Sequence, residues 1–260
     1  MSLLIESCKL LDDYQSRKLF HACIAASQVL GAFSLLCVIM WMGDEGYAWN
    51  EDPEREFHYH PTFMAIGPIF LLGEAILVYR IFRRESKKFT KLLHMSIFSI
   101  VFIFAMIALK AVWDSHDYHR DPDGDLNPLP NLYSLHSWIG IFIFVSFCLQ
   151  YIGGFVIFLF PGLSMNTRRS FLPFHQLFGI LLMIGFTMAA LAGISERAAW
   201  KHTCWTMQKE LCGKQMLSNI FGISIIGYAA LIVFVVTNPC WKRTPLPEEE
   251  AIQLMNSDDF

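Results

Sequence analysis

Charged residues are scarce in this sequence: Asp, Glu, Lys and Arg supply only 17% of its 260 residues, while 54% are apolar. Soluble domains contain about 25% charged residues, so this shortage is unusual for a protein dissolved in water. The net charge of −3 also argues against a nucleic-acid partner, because such partners require a basic surface. Neither a polar linker nor an internal repeat divides the chain, and we therefore expect residues 1–260 to form a single domain.

Six apolar runs occupy most of the chain. A helix rises about 1.5 Å per residue, so a run of about 20 residues spans the hydrocarbon core of a bilayer. Lipid offers no hydrogen-bond partners to the backbone, which predicts that each run is a helix. The first run lacks a small-residue cleavage site and is interpreted as an anchor, not a signal peptide. The sequence thus predicts an all-α, multi-pass integral membrane protein surrounded by lipid. Its helices are predicted at residues 22–42, 61–82, 92–112, 134–160, 174–194 and 216–236.

Lysine and arginine are concentrated in the connections that would share one membrane face with both ends of the chain. Cytosolic loops carry an excess of these residues, so both termini and a tail of residues 237–260 are predicted to be cytosolic. The opposite connections are acidic. One of them contains Cys204 and Cys212; a disulfide is permitted on that side, and the sequence leaves its formation open.

Four histidines stand at the ends of predicted helices. His60 and His136 open the second and fourth helices at the non-cytosolic face, and His94 and His175 open the third and fifth at the cytosolic face. Ionisable residues in spans are costly and indicate function, and facing side chains of a helical bundle can ligate a cofactor. On a helix His58 would point about 200° away from His60, so we interpret it as a polar residue at the interface.

Paired histidines without further ligands favour haem over zinc. Zinc prefers three or four protein ligands at one depth, and the sequence offers no such set at either face. Two imidazoles fit the two axial positions of a haem iron. The chain has no Cys-x-x-Cys-His motif, which excludes a covalent c-type haem. We therefore predict two haem b groups within the bundle of helices 2–5, one near each face, a layout suited to electron transfer between compartments.

Three motifs carry a resemblance to a known family. His60–Pro61 opens the second span, Ala75–Arg83 reads AILVYRIFR, and Asn131–Gly140 reads NLYSLHSWIG. With these motifs the chain resembles the cytochrome b561 family over nearly its whole length. The resemblance implies six helices, two haems with paired histidine ligands, and electron transfer from cytosolic ascorbate to monodehydroascorbate or a ferric chelate across the membrane. It also implies a homodimer as a possible assembly.

The resemblance further implies roles for individual residues. The axial pairs would be His60 with His136 and His94 with His175. Contacts to ascorbate would come from Lys87, Lys91 and Arg168. At the non-cytosolic substrate site the resemblance implies His116, for which His119 remains an alternative. Contacts to the haems would come from Arg80 on the cytosolic side, and from Asn131, Leu132, Tyr133, Ser134 and Glu196 on the other.

Two other functions remain open. Transporters of metal ions or protons also place histidines inside their spans, and a haem-binding membrane protein need not catalyse turnover.

A basic cytosolic shelf would gather the ascorbate monoanion, whereas the acidic opposite face favours a cationic iron acceptor. Glu74, inside the second span, is compatible with an ion pair or a proton route. The tail segment EAIQLM resembles an acidic dileucine sorting signal and favours an endomembrane vesicle or lysosome over the plasma membrane.

Overall fold

The computed structural model describes residues 12–50, 52–201 and 204–243 and is built from helices. Six of them are long and apolar enough to cross a membrane: α1 (Asp13–Gly43), α2 (Pro53–Ile81), α3 (Lys87–Asp117), α4 (Leu135–Leu159), α5 (Met165–Lys201) and α6 (Gly213–Thr237). The described residues contain no strand, only one isolated bridge between Arg120 and Leu126. The prediction of an all-α membrane protein with six spans is confirmed. The EAIQLM segment lies outside the described residues.

Five of the six helices begin before their apolar runs, and at α1 and α2 a capping side chain, not hydropathy, determines where the helix begins. Asp12 accepts a hydrogen bond from the backbone N–H of Gln15 at 2.7 Å, so α1 begins well before residue 22. Asp52 accepts from the N–H of Glu54 at 3.0 Å, and Pro53 occupies the first turn of α2, where its missing N–H costs nothing. That the predicted ranges mark the lipid-embedded part of each helix stays a prediction.

We call the end of the bundle that contains Gly43, Pro53 and Asp117 the outer end, and the opposite end the inner end. The basic residues predict that the inner end faces the cytosol. Within the bundle α1 packs along α6, α2 along α3 and α4 along α5. Near the middle of α3 and α4 these two helices meet through aromatic rings, with centroids 6.2 Å apart for Phe102 and Phe144. We call this contact the aromatic layer; along α3 it lies beyond His94, towards the outer end, and along α4 it lies beyond His136, towards the inner end.

A π-helical segment, Ala65–Leu71, lies in the middle of α2 and contains Pro68. Proline removes one helical hydrogen bond, and a wider turn accommodates it without ending the helix. Next to it, a Cβ atom at Gly67 would lie only 2.8 Å from the Cβ of Phe104 on α3. Glycine therefore allows α2 and α3 to approach closely, which fixes the position of His60 relative to α3.

Glu74, for which the sequence left two possibilities, takes part in a hydrogen-bonded cluster between α1, α2 and α6. Its Oε1 atom accepts from Nε2 of Gln28 at 2.7 Å, and the hydroxyl of Tyr228 lies 3.0 Å away. The same hydroxyl lies 2.8 Å from the carbonyl oxygen of Phe70. The cluster ties three helices together in a region where water cannot replace a lost partner.

Replacing Tyr228 with phenylalanine should lower the free energy of unfolding by about 1 kcal/mol, because interhelical hydrogen bonds in membranes have about this strength. The measurement is detergent-induced unfolding followed by circular dichroism. Tyr14→Phe is the matched control, since the Tyr14 side chain is 67% exposed. Equal unfolding curves for wild type and Tyr228→Phe would mean that the cluster does not stabilise the bundle.

Candidate haem and substrate sites

His60 and His136 face each other at the outer end. Their ring centroids are 6.0 Å apart, although α2 and α4 supply them separately. Nδ1 of His60 lies 3.1 Å from the carbonyl oxygen of Ala108, and Nδ1 of His136 lies 2.8 Å from that of Ala189. A carbonyl oxygen can only accept, so each Nδ1 donates its proton and each Nε2 keeps a free electron pair.

His94 and His175 form the corresponding pair at the inner end, with ring centroids 6.2 Å apart. Nδ1 of His94 lies 2.7 Å from the carbonyl oxygen of Ala75 on α2. Gln150 on α4 donates to the backbone carbonyl of His175 at 2.7 Å and fixes that part of α5. The two pairs therefore lie at opposite ends of the bundle, on four different helices, as the sequence predicted.

The geometry of both pairs fits a metal ion with two axial imidazoles. A bond between a metal and an imidazole nitrogen is about 2 Å long, so two rings on opposite sides of one ion have centroids roughly 6 Å apart. The chain leaves no room for side chains beside the rings. A Cβ atom at Gly193 would lie 2.7 Å from Cε1 of His136, and one at Gly154 would lie 3.0 Å from Cε1 of His175. A largely apolar cavity of about 360 Å³, lined by residues of α4 and α5, adjoins His175.

A second cluster of potential metal ligands is already occupied by protein cations. Among the described residues, only Glu45, Glu54 and His58 bring three such donor atoms within 4.8 Å of one another, and none of the paired histidines joins them. Arg197 donates to Oε1 of Glu54 at 2.7 Å and lies 3.3 Å from Nε2 of His58, whose Nδ1 donates to Gly46. His58 is 2% exposed, so it is a buried structural residue and not, as interpreted from the sequence, a polar residue at the interface.

The three residues predicted to bind ascorbate come together at the inner end. Lys91 lies close enough to Lys87 and Arg168 for their charges to repel one another. Its Nζ atom donates to the carbonyl oxygen of Phe158 at 2.9 Å. Arg168 packs over Gly162, where a Cβ atom would lie 2.5 Å from the guanidinium and the φ angle of +73° already favours glycine. Gly162 was not predicted from the sequence, although its Pro-Gly context is a turn signal.

Arg80, predicted to contact the inner haem, binds the end of α6 in this structure. Its guanidinium donates to the carbonyl oxygens of Val236 and Asn238, the latter at 3.0 Å. Arginine is well suited to this position, since the last carbonyls of a helix lack partners within the helix. The contact joins α2 to α6 at the inner end, and a role of Arg80 at a haem stays a prediction.

His116 lies at the outer end, within electrostatic range of His60. Its Nδ1 lies 2.9 Å from Oδ1 of Asn131, and the amide of Asn131 donates to Asp117 at 3.0 Å. His119 instead lines a separate open pocket together with Arg120. The structure therefore brings His116, and not His119, next to the Asn131 motif.

The rest of that motif turns the chain into α4. Leu132 has a φ angle of +55°, which a non-glycine residue seldom adopts, and Ser134 caps the helix by accepting from the N–H of Ser137 at 3.2 Å. The hydroxyl of Tyr133 lies 3.3 Å from Oε1 of Glu196. Burial and this carboxylate raise the pKa of Tyr133. The cap places His136 in the first turn of α4, where it faces His60.

Cys204 and Cys212 form a disulfide in the connection before α6. This resolves the pairing that the sequence left open. The bridge closes the short π-helical segment Cys204–Gln208 onto the residue that precedes α6.

Known proteins match the chain along its length. A family model of eukaryotic cytochrome b561 matches residues 59–201. A CYB561 homolog of Caenorhabditis elegans is 48% identical, over 99% of this chain and 98% of the relative. The transmembrane ascorbate-dependent reductase CYB561 of Sus scrofa is 35% identical, over 89% of this chain and 88% of the relative. The plasma membrane ascorbate-dependent reductase CYBRD1 of Xenopus laevis is 32% identical, over 92% and 81%. The chain therefore belongs to the eukaryotic cytochrome b561 family.

Proposed function

We propose that this protein is an ascorbate-dependent transmembrane oxidoreductase. Electrons would pass from cytosolic ascorbate to monodehydroascorbate or a ferric chelate on the other side, with two haem b groups held by the chain. The single observation that carries the proposal is the presence of two histidine pairs at opposite ends of one bundle, each with axial spacing. The names of the relatives from Sus scrofa and Xenopus laevis support the donor.

The residues of the chain would hold and orient the cofactor. Bound haem supplies one-electron exchange at its iron. The carbonyl oxygens of Ala75, Ala108 and Ala189 fix the imidazole tautomers, so that Nε2 faces the space between the helices. In the described part of the chain, neither histidine pair has a third metal-ligating side chain beside it. A site that carries a metal ion would need one, which disfavours the transporter alternative. An absorbance spectrum distinguishes the two, because only bis-histidine haem gives sharp bands on reduction.

The donor site would use the charge of the inner end. Ascorbate is a monoanion, and three cations that repel one another gain from an anion placed between them. Lys87, Lys91 and Arg168 form such a group. The Nε atom of Arg168 is buried without a hydrogen-bond partner among the described residues, so a ligand oxygen could satisfy it.

Replacing Lys91 with alanine should slow reduction by ascorbate by on the order of tenfold, the equivalent of about 1.4 kcal/mol, because one charge contact to the donor is lost. Reduction by dithionite should change little. Stopped-flow absorbance measures both rates. Lys88→Ala is the matched control, since Lys88 is exposed one turn away. Equal slowing with both reductants would assign Lys91 a structural role.

Some carboxylates of the outer end are paired with cations of the protein. Glu54 binds Arg197 and Lys201, at 2.7 and 2.8 Å. Asp44 binds Lys214 at 2.7 Å, and the hydrogen bond and charge of Lys214 lower the pKa of this carboxyl. These carboxylates are therefore less available to attract a cation than the sequence suggested, and we propose both acceptors. Vesicles loaded with ascorbate and offered each acceptor outside would rank the two by initial rate.

A further inference from the structure

Glu56 is a buried carboxyl group that the proposed function does not use. Its side chain lies in the first turns of α2, with 2% of its surface exposed. Oε2 accepts from the N–H of Asn50 at 3.1 Å, whereas Oε1 is buried and has no donor among the described residues. Glu56 precedes His60 by four residues, so the two lie on the same side of the helix, with Glu56 one turn further out. A buried oxygen without a donor requires an explanation.

Asp114 on α3 supplies the neighbouring group. Its charge acts on Glu56, so the two carboxyl groups repel each other when both are ionised. A proton on one of them removes this repulsion. Lys110 forms an ion pair with Asp114 and not with Glu56, which leaves Glu56 as the proton carrier. The side chains of Asp114 and Lys110 are 18% and 59% exposed, so water can reach Asp114 from the outer face.

We propose that Glu56 and Asp114 form a proton-binding site that takes up one proton when the outer haem site, at His60 and His136, gains one electron. The proposal rests on the proposed function only in placing a haem at this histidine pair. An added electron lowers the positive charge near His60, and a carboxyl pair one helical turn away then binds its proton more tightly. Proton binding and electron arrival stabilise each other to the same extent, because such coupling is reciprocal.

Charge and atoms balance for both acceptors. When a ferric chelate takes the electron, iron(III) becomes iron(II) and the pair releases its proton to the outer solution. When monodehydroascorbate takes it, this radical anion needs one electron and one proton to become the ascorbate monoanion. A proton held at the outer end is therefore useful for the second acceptor and unnecessary for the first.

Apart from Asp114, the charged and polar groups around Glu56 do not explain why its carboxyl would hold a proton. On α3 only Asp114 and Lys110 interact with it, and the connection before α2 contributes the neutral N–H of Asn50. On α5, Arg197 binds Glu54 and packs over the ring of Phe57. These statements hold for the described part of the chain.

The test is a spectroelectrochemical titration of the outer haem over a range of pH values. The wild-type reduction potential should fall as pH rises, by up to about 59 mV for each tenfold change in proton activity. Glu56→Gln keeps the shape of the side chain but has no exchangeable acid proton. Its potential should therefore stay near the low-pH value of the wild type at every pH. Glu210→Gln, which removes an exposed acid from the same face, should retain the wild-type slope.

Asp114→Asn provides an independent variant. Asparagine removes the neighbouring negative charge and so stabilises the carboxylate of Glu56, and the pH-dependent step should therefore move to lower pH. Infrared difference spectra between oxidised and reduced protein should contain a carboxylic-acid band that is absent in Glu56→Gln. If Glu56→Gln fails to fold, the infrared band and the Asp114→Asn shift decide the question. A wild-type potential independent of pH, or a slope that survives in Glu56→Gln, would overturn the proposal. Failure of the proposed function is distinct, since no outer haem would then be present to titrate.

Discussion

Replacing His136 with alanine is expected to remove the outer haem and to abolish electron transfer across the membrane, while the inner haem remains. Alanine offers no axial electron pair, and His60 alone cannot complete the pair. The inner pair, His94 and His175, lies at the other end of the bundle, beyond the aromatic layer of Phe102 and Phe144, and keeps both side chains. Haem content should fall from two per chain to one. Reduction by cytosolic ascorbate should persist, and transfer to an outside acceptor should drop by at least about 100-fold, because most of the ~30 Å core would have to be crossed in one step.

Pyridine haemochrome analysis and vesicle transfer assays measure these two effects. His21→Ala is the control, since it removes an imidazole that belongs to neither pair. His175→Ala should have the converse effect, with the outer haem retained and reduced slowly from the cytosol. A stable His136→Ala protein that transfers electrons at the normal rate would exclude the series arrangement.

Replacing Gly193 with valine should also remove most of the outer haem, although Gly193 is not a ligand. A Cβ atom there would lie 2.7 Å from Cε1 of His136, closer than side chains approach, and the imidazole would be displaced. The strain of such overpacking is about 1–3 kcal/mol, comparable to a 10–100-fold loss of haem affinity at that site. Titration of the purified protein with haem measures the affinity directly.

Gly179→Val is the matched control on the same helix. A Cβ atom at Gly179 meets no atom within 4 Å of it, so this variant adds the same side chain without the clash. It should bind both haems with wild-type affinity. Equal haem loss in both variants would attribute the effect to α5 as a whole and not to the contact with His136.

The paired histidines could be predicted from the sequence because two separate signals agree. Ionisable residues in apolar helices are costly, so their presence is informative on its own. The alternation of spans then assigns His60 and His136 to one membrane face and His94 and His175 to the other. Neither signal requires knowledge of how the helices pack, and both histidine pairs are indeed close in the structure.

The supporting residues could not be found in this way. Gly193 looks like any other glycine of a membrane helix until its distance to His136 is known. From the sequence, His58 appears unable to share a site with His60 and so has no evident role. In the structure it is buried, and Arg197 from a distant helix binds it. Glu56 appears to belong to an acidic surface, and only the structure shows that its side chain is buried and that Oε1 has no donor among the described residues. These features depend on contacts between residues far apart in the chain, which composition and local spacing do not encode.

The most direct test of the central claim uses purified protein, loaded with haem, in vesicles that contain ascorbate and are surrounded by a membrane-impermeant ferric chelate. We expect the external iron to be reduced in proportion to the amount of protein, with both haem signals responding before the external iron does. Empty vesicles and vesicles with His136→Ala should show only the leakage rate. External reduction at the leakage rate by a protein that carries both haems would contradict the account.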